Sequence, residues 1–88
     1  MTKKTAKEQY AKAFSFHIDG KYKKAANWFR LAAEQGHAGA QYNLGLMYIR
    51  DDGVERSYIE AEKWLQLAVD QGHSNARKWL ERLEMTNE

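Results

Sequence analysis

The sequence predicts an all-α protein, built from antiparallel helix hairpins stacked as a short α-solenoid of five helices: two repeats and a C-terminal capping helix. Three observations predict it. A block of residues recurs at a fixed spacing, the apolar positions inside it fall on one face of a 3.6-residue helix, and a glycine closes each block while the chain holds no proline. The repeat comes first, because a fixed period sets the architecture before single helices are argued. Residues 25–37 read AANWFRLAAEQGH and residues 61–73 read AEKWLQLAVDQGH, so Ala25, Trp28, Leu31, Ala32, Gln35, Gly36 and His37 recur 36 positions later.

The elements follow in chain order. A first helix is expected over about residues 5–18, because EQYAKAFSFHI aligns with AQYNLGLMYIR at an offset of 32, pairing Tyr10 with Tyr42, Ala13 with Gly45 and Phe16 with Tyr48. Gly20 marks the turn that follows it. In the second helix, Tyr22, Ala25, Trp28, Phe29, Ala32 and Ala33 recur at helical spacing on one face, and Gly36 closes it in the left-handed conformation that glycine adopts without a Cβ clash. The third helix is expected over 38–50. The change of offset from 32 to 36 locates a four-residue insertion in DDGVERS, residues 51–57, with Gly53 as its turn residue. Tyr58, Ala61, Trp64, Leu65, Ala68 and Val69 then repeat the stripe of the second helix up to Gly72. A fifth helix, about 74–85, carries Ala76, Trp79, Leu80 and Leu83 on one side and Glu81, Arg82 and Glu84 on the other. Scarce β-branched residues disfavour strands.

Eighty-eight residues make a single domain, 1–88, with repeat one at about 5–36, repeat two at about 37–72 and the capping helix at about 74–85. The absence of cysteine removes thiol catalysis, thiolate zinc sites and disulfides, and fits a reducing compartment. No apolar run approaches the about 20 residues of a transmembrane helix. The N-terminal apolar positions are broken by Lys7, Glu8, Gln9 and Lys12 before a signal-peptide core forms, so a cytoplasmic location is expected. The net charge of +2 is unevenly spread: residues 1–30 hold eight Lys or Arg against two acids, and residues 31–88 hold six against ten. No helix-turn-helix or RNA-binding motif accompanies the basic segment, which disfavours nucleic acid as a partner.

No catalytic constellation is present: there is no nucleophile elbow, phosphate-cradling glycine loop or HExxH, and the serines and carboxylates are scattered over polar helix faces. No enzyme activity and no cofactor are expected. His37 and His73 stand one repeat apart without the further ligands a metal would need, so no metal site is expected either. Trp28 and Trp64 recur on the apolar stripe and are assigned to the core. Mid-helix Gly45 points to a close helix approach. Gln35 and Gln71 are taken as exposed helix-end residues without a role.

The second unit, AGAQYNLGLMYIRDDGVERSYIEAEKWLQLAVDQGH, resembles the Sel-one-like repeat, whose pattern is an Ala-x-Tyr-x-Leu-Gly-x-x-Tyr helix, a Gly-Val loop, Ala-x-x-Trp and a closing Ala-x-x-x-Gly-His. The first unit matches from Ala25 to His37, and its Gly20, Tyr22 and Ala25 spacing is similar to the tetratricopeptide repeat. Lys12 stands where the pattern has leucine, which makes the first helix a degenerate, solvent-facing cap. Glu81 stands where it has a small residue, which suits a terminal helix.

This resemblance implies a right-handed solenoid whose first helices line a concave surface, and a role as an adaptor or scaffold that binds another protein. With Ala13, Phe16, Leu44, Gly45, Tyr48 and Leu80 committed to packing, the expected partner-binding residues are Tyr10, Phe14, His17, Tyr42, Leu46, Ile49, Arg50, Lys78 and Arg82. That set makes an apolar floor with a basic edge, suited to a protein or peptide with an acidic end. Three alternatives stay open. Phe14, Leu46 and Ile49 would then simply complete a small core; the chain would be a homodimer with a structural role, burying Trp79 and Leu83; or it would be a dedicated inhibitor of one toxin or enzyme.

Overall fold

Thirteen-residue helices suit this sequence because each ends where its capping chemistry does. In the computed structural model, which describes residues 4–86, they are α1 (Ala6–Ile18), α2 (Tyr22–Glu34), α3 (Ala38–Arg50), α4 (Tyr58–Asp70) and α5 (Ser74–Thr86), with no strand among the described residues. Their boundaries fall within a residue or so of those read from the sequence. Thr5 and Glu8 form a capping box at the start of α1: the Glu8 N–H donates to the Thr5 hydroxyl at 3.2 Å and the Thr5 N–H donates to the Glu8 carboxylate at 2.9 Å. The Ser57 hydroxyl accepts from the Glu60 N–H at 3.1 Å to start α4. At the ends of α2 and α4, Gly36 (φ +93°) and Gly72 (φ +88°) let the His37 and His73 N–H groups reach back to the Ala32 and Ala68 carbonyls.

Gly53 takes a left-handed conformation (φ +75°), as its place in the turn leads one to expect, and Asp51 does so as well at the end of α3 (φ 63°), its carboxylate accepting from the Arg56 N–H at 2.9 Å. Gly53 serves a second purpose besides its own positive φ: a Cβ there would come within 2.3 Å of the Tyr22 carbonyl oxygen. The seven-residue loop, residues 51–57, therefore lies directly on the start of α2.

α1 pairs with α2 and α3 with α4, while α2 packs on α3 and α4 on α5, giving a stack 48 × 26 × 17 Å. Alanines fill the tightest junctions: Ala13, Ala25, Ala32, Ala40, Ala61, Ala68 and Ala76 expose no surface. Phe29, Leu44 and Leu65 are the largest fully buried side chains, each contributing about 1.5–3 kcal/mol of burial. Gly45 lets α3 approach α4 closely, since an added Cβ would stand 2.9 Å from Leu65 Cγ. Trp64 is buried as expected. Trp28 is only half-buried, because no helix precedes α1 among the described residues to cover the end of the stack. Leu83, considered above as apolar surface for a dimer, is already 92% inside the core, as only 8% remains exposed.

Candidate functional site in the cleft between the first helices

One contact recurs in each repeat. Tyr10 of α1 stacks on His37 with ring centroids 4.3 Å apart, and Tyr42 of α3 stacks on His73 at 4.5 Å. Each histidine also starts a helix, its Nδ1 accepting from the Ala40 N–H at 3.0 Å and the Ala76 N–H at 3.1 Å respectively. An accepting Nδ1 carries no proton, so both rings are held with their hydrogen on Nε2. This accounts for their recurrence after each glycine. Among the described residues, no three metal-ligating side chains gather anywhere.

Gln35 and Gln71 have a role that the sequence reading missed. Gln35 donates to the side-chain carbonyl of Gln9, and Gln71 donates to that of Gln41 at 3.0 Å and to the Gly36 carbonyl at 2.8 Å. Buried Gln41 donates in turn to the Ala33 carbonyl at 3.2 Å. The Ala33 carbonyl in the last turn of α2 and the Gly36 carbonyl just beyond it thereby receive glutamines from the next repeat. The recurrence of Gln9 at Gln41 and of Gln35 at Gln71 was the available signal.

A cavity of about 90 Å³ opens between α1 and α3, lined by Phe14, His17, Phe29, Asn43, Leu46, Met47, Arg50 and Asp52. Four of the nine residues expected at a partner site meet here: Phe14, His17, Leu46 and Arg50. Phe14 is 39% exposed and packs edge-on against Tyr10 and Phe29, whereas Leu46 is only 9% exposed and forms floor, not open surface. The Asn43 amide donates to the Tyr10 hydroxyl at 3.2 Å, fixing the cavity's edge. Tyr10 and Tyr42 do not line the cavity and stack on their histidines, and Ile49 is half-buried against the core. Lys78 and Arg82 are exposed on α5 and do not line it; the Arg82 guanidinium lies 5.1 Å from the Trp79 ring. The rim is consequently not simply basic, because Asp52 shares it with Arg50.

The stripe lining the cavity from α3 is Asn43, Leu46, Met47 and Arg50, at i, i+3, i+4 and i+7. Leu46 and Arg50 are shared with the expected set, while Asn43 and Met47 line the cavity and Tyr42 and Ile49 do not. Phe29, on the apolar stripe of α2, is at 1% exposure part of the core as well as a wall of the cavity.

The unit that carries these contacts is similar to a repeat found in other proteins. The sequence profile of the Sel1 repeat matches residues 14–37 and 38–73. The chain belongs to the Sel1 repeat family. The crystal structure of a Sel1 repeat protein from Oxalobacter formigenes superposes with a TM-score of 0.84 at 37% identity, covering 90% of this chain and 24% of that one. This chain thus spans about a quarter of the length of that Sel1 repeat protein. No curated protein matches it. The Sel1 repeat is a non-catalytic helical repeat fold, and Sel1 repeats generally mediate protein interactions. No helix among the described residues is long and apolar enough to cross a membrane.

Proposed function

We propose that this Sel1-repeat chain acts as an adaptor that binds a segment of another protein in the cleft between α1 and α3. The observation that carries the reading is the chemistry of the cavity: apolar walls from Phe14, Phe29, Leu46 and Met47, with His17, Asn43, Arg50 and Asp52 at the edge. At about 90 Å³ it is far smaller than the about 300–1,000 Å³ of small-molecule sites, and its size suits a single side chain. An apolar side chain from an extended or helical segment fits it, with neighbouring polar groups paired to Arg50 and Asp52. Exposed aromatic and arginine side chains are also the residue types that dominate binding energy at interfaces. The repeat fold supports a non-enzymatic role, and the cysteine-free sequence supports a reducing, cytoplasmic setting.

Peptides selected from a displayed library on the intact chain test the reading. Phe14→Ala and Arg50→Glu should each weaken the selected peptides by about tenfold or more while leaving the helical circular dichroism unchanged. Selected peptides that bind both variants as tightly as the native chain would remove the cleft from consideration. A structural homodimer is the second reading, favoured by the outer face of α4, where Ile59 is 84% and Leu67 41% exposed. Light scattering across a wide concentration range separates the two: a constant monomer keeps the adaptor reading, and a persistent dimer that Ile59→Lys dissociates replaces it.

A further inference from the structure

At the junction between the two repeats, Tyr48 and Trp64 are 8% and 6% exposed, and α2 packs on the helix that carries Tyr48. The Arg30 guanidinium of α2 lies 5.7 Å from the centre of the Tyr48 ring and donates to its hydroxyl. Phe16 and Trp28 occupy the same two positions in repeat one, at the offsets of 32 and 36. Both are only half-buried, and no described helix precedes α1 to do for them what α2 does for Tyr48. Two ammonium groups lie there instead: Lys12 and Lys24 Nζ are each 5.6 Å from the Phe16 ring centre, and Lys12 Nζ is 6.0 Å from the Trp28 ring. Neither lysine has an ion pair among the described residues, and Glu8, one turn before Lys12, is engaged by Thr5. Lys12 occupies the position of Leu44, which is fully buried in the second repeat.

We propose that this end of the stack is a second docking surface, distinct from the cleft, and that it receives an acidic amphipathic helix of another protein in the place that α2 occupies on the second repeat. The repeat supplies the shape, because Phe16 and Trp28 stand where a covered aromatic pair stands one unit later. The charge supplies the selection. Two cations sharing one aromatic ring repel each other, and a helix bringing carboxylates over them relieves that repulsion while its apolar stripe covers the rings. A basic helix such as α2 itself is refused for the same reason.

The probe is a synthetic 13-residue peptide with the sequence of α2 carrying Lys23→Glu, Lys24→Glu and Arg30→Glu, titrated into the intact isotope-labelled chain. Amide and indole shifts should concentrate at Phe16 and Trp28, weaken about tenfold in the exposed Lys12→Glu/Lys24→Glu variant, and be absent with the unsubstituted α2 peptide. Four results would overturn the proposal: no binding of the acidic peptide, shifts centred on Phe14 and Arg50, equal binding by the charge-reversed variant, or the same shifts from polyglutamate, which has the charge without the apolar stripe. Because the lysines lie outside the cleft, failure here leaves the cleft reading standing. Loss of library-selected peptides in Phe14→Ala would likewise leave this surface untouched.

Discussion

Tyr10 and Tyr42 show how much one residue decides in a repeat. Each covers a histidine whose Nδ1 opens the next helix, so removing the imidazole costs both a cap and a stack. His37→Ala is expected to lose about 1–2 kcal/mol in denaturant unfolding, and His37→Asn to recover the share due to the cap. Gly45 sets two effects against each other. Alanine there gains about 1 kcal/mol of helix propensity but drives a methyl to within 2.9 Å of the buried Leu65 side chain, an overpacking that costs about 1–3 kcal/mol. Packing wins, and Gly45→Ala should lower the melting temperature by about 5 °C. The glycine's role was legible in the sequence because its mid-helix cost demands a reason. The placing of Tyr42 and Ile49 was not, since a one-residue choice along a helix moves a side chain to another face and periodicity alone does not say which of two adjacent stripes meets the neighbour. Gln35 and Gln71 were passed over because polar residues at helix ends are usually solvated; their partners lie in other helices, 26 and 30 residues away.

At the scale of the element, the closing glycines were the most legible feature, since their effect is local; the capping box at Thr5 and Glu8 and the cap at Ser57, local as well, were passed over. The Glu8 carboxyl is held below its ordinary value, first by the hydrogen bond from the Thr5 N–H and then by the Thr5 hydroxyl. A depressed carboxyl is ionised in the folded chain over a range where the unfolded chain has taken up its proton, so its support is complete above the ordinary value and is lost as pH falls through about 4 and below. Protection of the Thr5 amide, which donates to the Glu8 carboxylate, should therefore fall below about pH 4, as read by amide exchange relative to the intrinsic rate. The two tryptophans separate in the same way. Trp64→Ala should cost about 3–5 kcal/mol and Trp28→Ala, at the uncovered end of the stack, about half of that. Equal repeat positions suggested equal burial, but sequence equivalence says nothing about whether a neighbour is there. The loop at 51–57 follows the same lesson: the extra four residues were visible as an offset, while the use of Asp51 as the left-handed residue and of Gly53 against the backbone of Tyr22 depends on a contact between repeats.

For the whole molecule, the fold was legible because each signature position occurs twice, which turns weak single-residue preferences into a pattern. The cavity proposed as the recognition surface was legible only in part: Phe14, His17, Leu46 and Arg50 line it together, whereas Lys78 and Arg82 stay on α5 and Asp52 enters the rim from a loop whose path the pattern does not encode. The outcome is a two-sided rim over an apolar pocket, the arrangement on which the adaptor reading rests. The most direct test is the amide spectrum of the intact chain titrated with its library-selected peptide. The largest shifts are expected at Phe14, His17, Leu46 and Arg50; shifts confined to the outer face of α4 around Ile59 and Leu67, with the cleft unmoved, would contradict it.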